Sequence, residues 1–268
     1  MAVAIPAPPA IPPANEGPLL LTRPGFNPTV DDVIEARRII TELRVGKHTV
    51  PMEIALMILS FASYQPCQSN IKQREKIYEA NEFWRSTTDA SIAGLYLTVA
   101  TLSIPGAVAR PKSITFQMKA ADQGWATFGG NGTYNNSHTW FEASILRPRS
   151  DESARAALTS TDMRNFRTPG EARGHLQDLG WDIVEDNGTI AWRVHNNITA
   201  CSANRLYRVD WVAGVPAKVG NPQAMGDGQG FLEHLRPSDV VVLWARAEQQ
   251  AWINKAQGAA MEIVYEVL

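Results

Sequence analysis

The chain holds 268 residues, with 25 Lys and Arg against 27 Asp and Glu for a formal net charge of −2; 44% is hydrophobic and 19% charged. That composition excludes wholesale disorder and a coiled coil, and the near-neutral charge argues against nucleic acid as a partner, whose phosphates would need many basic groups. Two cysteines, Cys67 and Cys201, are too few for a disulfide framework and lack zinc or redox spacing, which points to a reducing compartment.

Residues 1–28 hold Pro6, Pro8, Pro9, Pro12, Pro13, Pro18, Pro24 and Pro28, and so favour polyproline II over any hydrogen-bonded element. The expectation is a disordered Pro-rich arm. It has neither a basic start nor an unbroken apolar stretch of signal-peptide type. No run in the chain approaches the roughly 18–20 apolar residues of a membrane span. A soluble, cytoplasmic protein without a membrane partner is expected.

Residues 29–100 read as a helical preface. Thr29 and Asp32 fit a capping box, and Val33, Ala36, Ile40 and Leu43 recur on one helical face, closed by Gly46. A second helix opens at Pro51 and carries Ile54, Met57, Ile58 and Phe61 at i, i+3, i+4, i+7, with Pro66 beyond it. The pair predicts a helical hairpin that buries its apolar faces against itself or the following domain. Between Gln68 and Asn81 the chain is polar and its structure open, before Leu95, Leu97 and Val99 alternate as a strand would.

From residue 101 to 268 the dominant period is two. Ile114, Phe116 and Met118 alternate with polar neighbours; His138 to Leu146, Thr189 to Ala200, Leu206 to Val212 and Ala260 to Leu268 repeat the pattern; Asp239 to Ala245 is almost continuously apolar. Gly/Asn clusters separate these runs, and one short helix runs from the capping box Thr168–Glu171 to Gly180. Many short strands without regular strand–helix alternation predict a mainly β fold, an antiparallel jelly-roll-like β-sandwich, galactose-binding-like in style.

Catalytic constellations are missing: no phosphate loop, no dinucleotide fingerprint, no zinc-protease helix and no nucleophile elbow. Gly226-Asp-Gly-Gln-Gly230 lacks the lysine of a phosphate loop and reads as a turn. Asn131, Asn135, Asn187 and Asn197 stand in Asn-x-Ser/Thr sequences that read as turn chemistry. The five histidines have no ligand spacing, so no metal or cofactor is expected, although a sandwich could bring His138 and His195 together. Tryptophan is the conspicuous residue, with eight in the chain and all but Trp84 at or after Trp125. Trp140, Trp192 and Trp244 stand in strands and read as core. Trp125 and Trp252 stand in loops, where a sandwich presents ligand contacts on a rigid frame. The candidate ligand site is therefore Asp122, Gln123, Trp125, Tyr134, Trp252 and Asn254, with aromatic rings to stack on a sugar and the carboxylate and amides to bond its hydroxyls.

The segments Ile114-Thr-Phe116, Ala121-Asp-Gln-Gly-Trp125, Gly132-Thr-Tyr134, Thr139-Trp-Phe-Glu142, Trp192-Arg-Val-His-Asn196, Leu235-Arg-Pro-Ser-Asp239, Leu243-Trp-Ala-Arg246 and Trp252-Ile-Asn254 resemble a family of fungal proteins, some attached to ankyrin repeats. The resemblance spans about residues 110–268 and implies the sandwich and an absence of catalysis. Val50-Pro-Met-Glu-Ile54 with Ile58-Leu59 resembles the opening of an F-box, which implies a cullin-adaptor partner.

Three readings follow. The first is a non-enzymatic recognition protein binding a glycan or protein segment through end loops. The second is an interaction scaffold or F-box-like adaptor docking a partner through Ile54, Met57, Ile58 and Phe61. The third is a hydrolase using a carboxylate pair such as Asp122 and Glu142, which requires the two to face each other across a cleft. Oligomeric state stays open.

Overall fold

The apolar run at residues 239–245 has a direct structural cause. Val241, Leu243 and Ala245 face the main core, whereas Val240, Val242 and Trp244 face a second apolar cluster on the other side of the same strand. A strand buried on both faces loses the polar half of its alternation. The computed structural model describes residues 18–21, 25–86, 88–103, 109–127, 129–155, 158, 163–217, 219 and 221–267.

In chain order the first elements are α1 (Val30–Glu42), the small ribbon β1 (Arg44–Val45) and β2 (His48–Thr49), and α2 (Met52–Phe61). They are followed by β3 (Cys67–Lys72), β4 (Lys76–Glu79), β5 (Trp84–Ser86), β6 (Asp89–Ala100), β7 (Ala109–Ala121) and β8 (Thr139–Pro148). Then come α3 (Asp151–Arg155), α4 (Arg173–Asp178), β9 (Trp181–Ile183), β10 (Trp192–Asn196), β11 (Arg205–Val212), α5 (Phe231–His234), β12 (Val240–Glu248) and β13 (Ile253–Val267). One antiparallel sheet runs β10-β8-β12-β6-β5 with β9 beside β8, and the other runs β11-β7-β13-β3 with β4 beside β13. The fold is thus the expected antiparallel β-sandwich, with β12 and β13 inside their respective sheets.

Between the sheets, Phe141, Ile145, Ile92 and Leu97 meet Phe116, Met118, Met261 and Trp211. Against the outer face of the β12 sheet, Leu176 of α4, Trp181, Ile183, Phe166 and Met163 cover Leu95, Leu146 and Trp244. Gly226–Gly230 is a turn into α5, with Gly228 at φ +68° lying flat on Trp211, where a Cβ would stand 2.2 Å from the indole. None of the described helices is long and apolar enough to cross a membrane.

The helical hairpin forms with its capping box intact: the Thr29 hydroxyl accepts the Asp32 N–H, and the Asp32 carboxylate accepts the Thr29 N–H at 2.8 Å. Val30, Val33, Leu59 and Val267 form its small apolar contact with β13. Three expectations need correction. The helical preface ends at Phe61, because residues 67–100 supply four strands to the two sheets. On α2 the buried positions are Ala55 and Leu59, so Ile54, Met57, Ile58 and Phe61 face solvent instead of the domain. Of the expected arm, residues 1–17 and 22–24 lie outside the described residues; the rest is a strap. Leu19 is buried over Gly258, the Leu20 carbonyl accepts a bond from Gln117 Nε2, and the Asn27 amide pairs with both backbone groups of Cys67.

Candidate functional site

At one end of the sandwich β7 stops at Ala121 and the chain loops through Trp125 to His138 before β8, while β12 and β13 are joined by the tip Gln249–Trp252. The two loops enclose a cleft of about 510 Å³ that Trp125, Asn136, His138, Gln249, Gln250 and Trp252 line. The structure therefore brings together the two tryptophans that the sequence places in loops. Their states differ. Trp125 is 55% exposed, whereas Trp252 is 8% exposed and packs its ring on His138 at 4.8 Å.

The hairpin tip is held from several sides. The Gln249 N–H donates to the Ala90 carbonyl, the Ala251 N–H to Asn81 Oδ1, and the Ala80 N–H to the Trp252 carbonyl, all within 3.0 Å. Gln123 ties the Trp125 loop to β13: its Oε1 accepts the Ile253 N–H at 3.0 Å and its Nε2 donates to the Trp125 carbonyl at 2.9 Å. That amide is consumed by the frame, so Gln123 positions Trp125 and leaves ligand contact to others. Asn136, Gln249 and Ala251 all have φ between 54° and 67°, a left-handed backbone that non-glycine residues hold at a cost of about 1 kcal/mol or more each.

Four expected site residues do not line the cleft: Gln123, tied up as described, and Asp122, Tyr134 and Asn254. Asp122 is fully buried, and its carboxylate accepts the Gln123 N–H at 2.6 Å and the Ala200 N–H at 2.7 Å. Burial pushes this carboxyl up to about 6, against the opposing pull of those bonds. Asn254 is fully buried as well: its Nδ2 donates to the Trp140 and Arg246 carbonyls and its Oδ1 accepts from Asn197 Nδ2. Tyr134 packs edge-on against His195, which stacks on Tyr207 at 4.5 Å. These residues fasten loops to strands, since a buried polar group must find partners within the protein.

The carboxylate pair required by the hydrolase reading is also dissolved. Glu142 lies on the outer face of the β12 sheet, ion-paired to the buried Arg246 and accepting Trp140 Nε1 at 2.9 Å. Trp140 itself is layered between the guanidinium groups of Arg193, 4.0 Å away, and Arg246. His195 Nδ1–H donates to the Asn196 carbonyl while His138 faces Trp252, and no cluster of metal-ligating side chains occurs among the described residues. Sequence reasoning missed His138, Asn136, Gln249 and Gln250. The Gln249-Gln250 pair interrupting two apolar strands was the available signal.

No family model and no curated protein matches the chain. Among solved structures it is similar, at 7% identity, to the enzymatically active domain of tailspike protein 4 from bacteriophage CBA120, over 75% of this chain and 19% of that one, with a TM-score of 0.20. The match takes in less than a fifth of the tailspike chain.

Proposed function

We propose that the protein is a lectin-like recognition module that binds a glycan at the cleft between Trp125 and the Gln249–Trp252 tip. The observation that carries this is the exposure of Trp125, an indole left 55% open to solvent while Gln123 ties its main chain to β13. A large rigid ring so held loses little freedom on binding and offers an apolar face with a polar edge, which suits the alternating C–H and hydroxyl faces of a sugar. The amides of Gln249 and Gln250 stand exposed beside it for hydroxyl contacts. The test is a glycan array read with the full chain and with Trp125→Ala, whose fold is checked by circular dichroism. Binding that disappears in the folded variant supports the reading. Signals unchanged in the variant, or a peptide in place of a glycan as the only ligand, overturn it.

A second reading rests on α2. Ile54, Met57, Ile58 and Phe61 are 44–84% exposed, the surface that docking into a partner's helix groove requires. With the F-box-like pattern of residues 50–59, the partner proposed is a cullin-adaptor subunit. Titration of the purified adaptor by calorimetry gives saturable heat that Ile54→Glu with Phe61→Glu abolishes; no heat with the unmodified chain removes the reading.

A further inference from the structure

The chemistry of the cleft narrows its ligand beyond the general reading above, on which this inference rests. The chain is 19% charged, yet none of the described residues lining the cleft is Asp, Glu, Lys or Arg. Three carboxylates in the flanking strands and loops are engaged elsewhere. Asp89 is ion-paired to Arg167, Glu248 to Arg246 at 2.9 Å, and Asp122 is sealed behind the loop with its oxygens on backbone N–H groups. His138, the one titratable side chain among the described lining residues, is biased towards its neutral form because burial pushes its imidazole below the ordinary range. An acidic sugar would shed its hydration here without meeting a cation, and a calcium-bridged sugar would find no carboxylate to hold the ion.

We infer that the cleft selects uncharged saccharides, stacked on Trp125 and bonded through the Gln249 and Gln250 amides, and recognises them without calcium. The strained, cross-tied tip makes this selection preorganised: the amides hang from backbone already fixed by Ala90 and Asn81.

The experiment is calorimetric titration of the full chain with two matched probe sets. Lactose, cellobiose, maltose and chitobiose form the neutral set; sialyllactose, a glucuronate disaccharide and a sulfated heparin disaccharide form the acidic set. Each is run with calcium and with chelator, and at about 0.05 M and about 0.5 M salt. The expected result is saturable binding from the neutral set only, unchanged by chelator and altered less than about twofold by salt. Trp125→Ala should weaken it roughly tenfold or more, and Gln249→Ala with Gln250→Ala should weaken it while leaving the circular dichroism spectrum intact. Binding confined to the acidic set, or lost with chelator, overturns this inference and leaves the glycan reading standing. Binding that survives Trp125→Ala, or no heat from either set, overturns both.

Discussion

Two regions of the molecule show large apolar side chains to solvent, and they are held in opposite ways. In the end cleft one indole stands on loops tied by hydrogen bonds to β6, to the turn after β4 and to β13. On α2 six large side chains, from Met52 to Phe61, are exposed on a helix whose buried side chains are Ala55 and Leu59, with Ser60 accepting a bond from Lys112 of β7. The difference separates two kinds of recognition. A single fixed ring among amides suits a small polar ligand, because affinity there depends on what is ordered beforehand. A broad apolar helix face among few tethers suits a macromolecular partner that covers it by area.

The largest expected effect falls inside the cleft, where the two tryptophans are set apart by burial. Trp252→Ala removes a ring from the main core and should cost about 3–5 kcal/mol in urea unfolding, whereas Trp125→Ala should stay within about 0.5 kcal/mol. Equal costs would end the distinction between frame and platform. On the helical side, Leu59→Ala should cost about 2–3 kcal/mol, towards the low end of buried leucine truncations because its cluster is small.

A pH series sharpens the contrast further, since the cleft end holds buried titratable groups. Asp122 has its folded pKa raised to about 6 from the model-peptide range near 3.8, so between those values the folded state holds the proton more tightly and stability falls as pH rises. His195 has its folded pKa lowered by burial to about 4 from 6.5, so over its window the unfolded state holds the proton and stability rises with pH. The two slopes oppose each other across about pH 4–6, so their joint contribution there is small. Asp122→Asn should expose the His195 slope, a gain of about 2–3 kcal/mol from pH 4 to 6.5 read from urea midpoints. A flat profile in that variant would show that His195 titrates normally. The smallest effect is expected at Phe61→Ala, within about 0.5 kcal/mol on stability because the ring is 84% exposed; a larger loss would mean that the α2 face is already covered.

The legible parts of the sequence were those where local chemistry and tertiary burial agree. Alternation in β7 and β11, the unbroken run of β12 and the Thr29 cap each carry their cause in neighbouring residues. β3 was illegible because Gln68, Ser69, Asn70 and Lys72 are polar and the strand, at the sheet's margin, exposes Ser69 and Asn70 on alternate faces, leaving little apolar signal. The orientation of α2 was illegible for the opposite reason: with only Glu53 and Ser60 polar, periodicity cannot name the buried stripe. In the site, an aromatic in a Gly-flanked loop was readable at Trp125. Asp122 and Asn254 were misplaced because a polar residue at a loop looks the same in sequence whether its partners are ligand atoms or buried backbone.

The positions of β12 and β13 set the order in which the sandwich can be assembled. Each lies between strands that precede it in the chain, β12 between β8 and β6, β13 between β7 and the β3–β4 pair. As the polypeptide leaves the ribosome, β6 can pair with β5, β8 with β9 and β10, and β7 with β11, but these groups stay unjoined until the two middle strands arrive. Neither sheet can close in advance, so the nascent chain carries unpaired edges on β6, β8 and β7 until residues 240–267 emerge, the interval in which a chaperone would matter most.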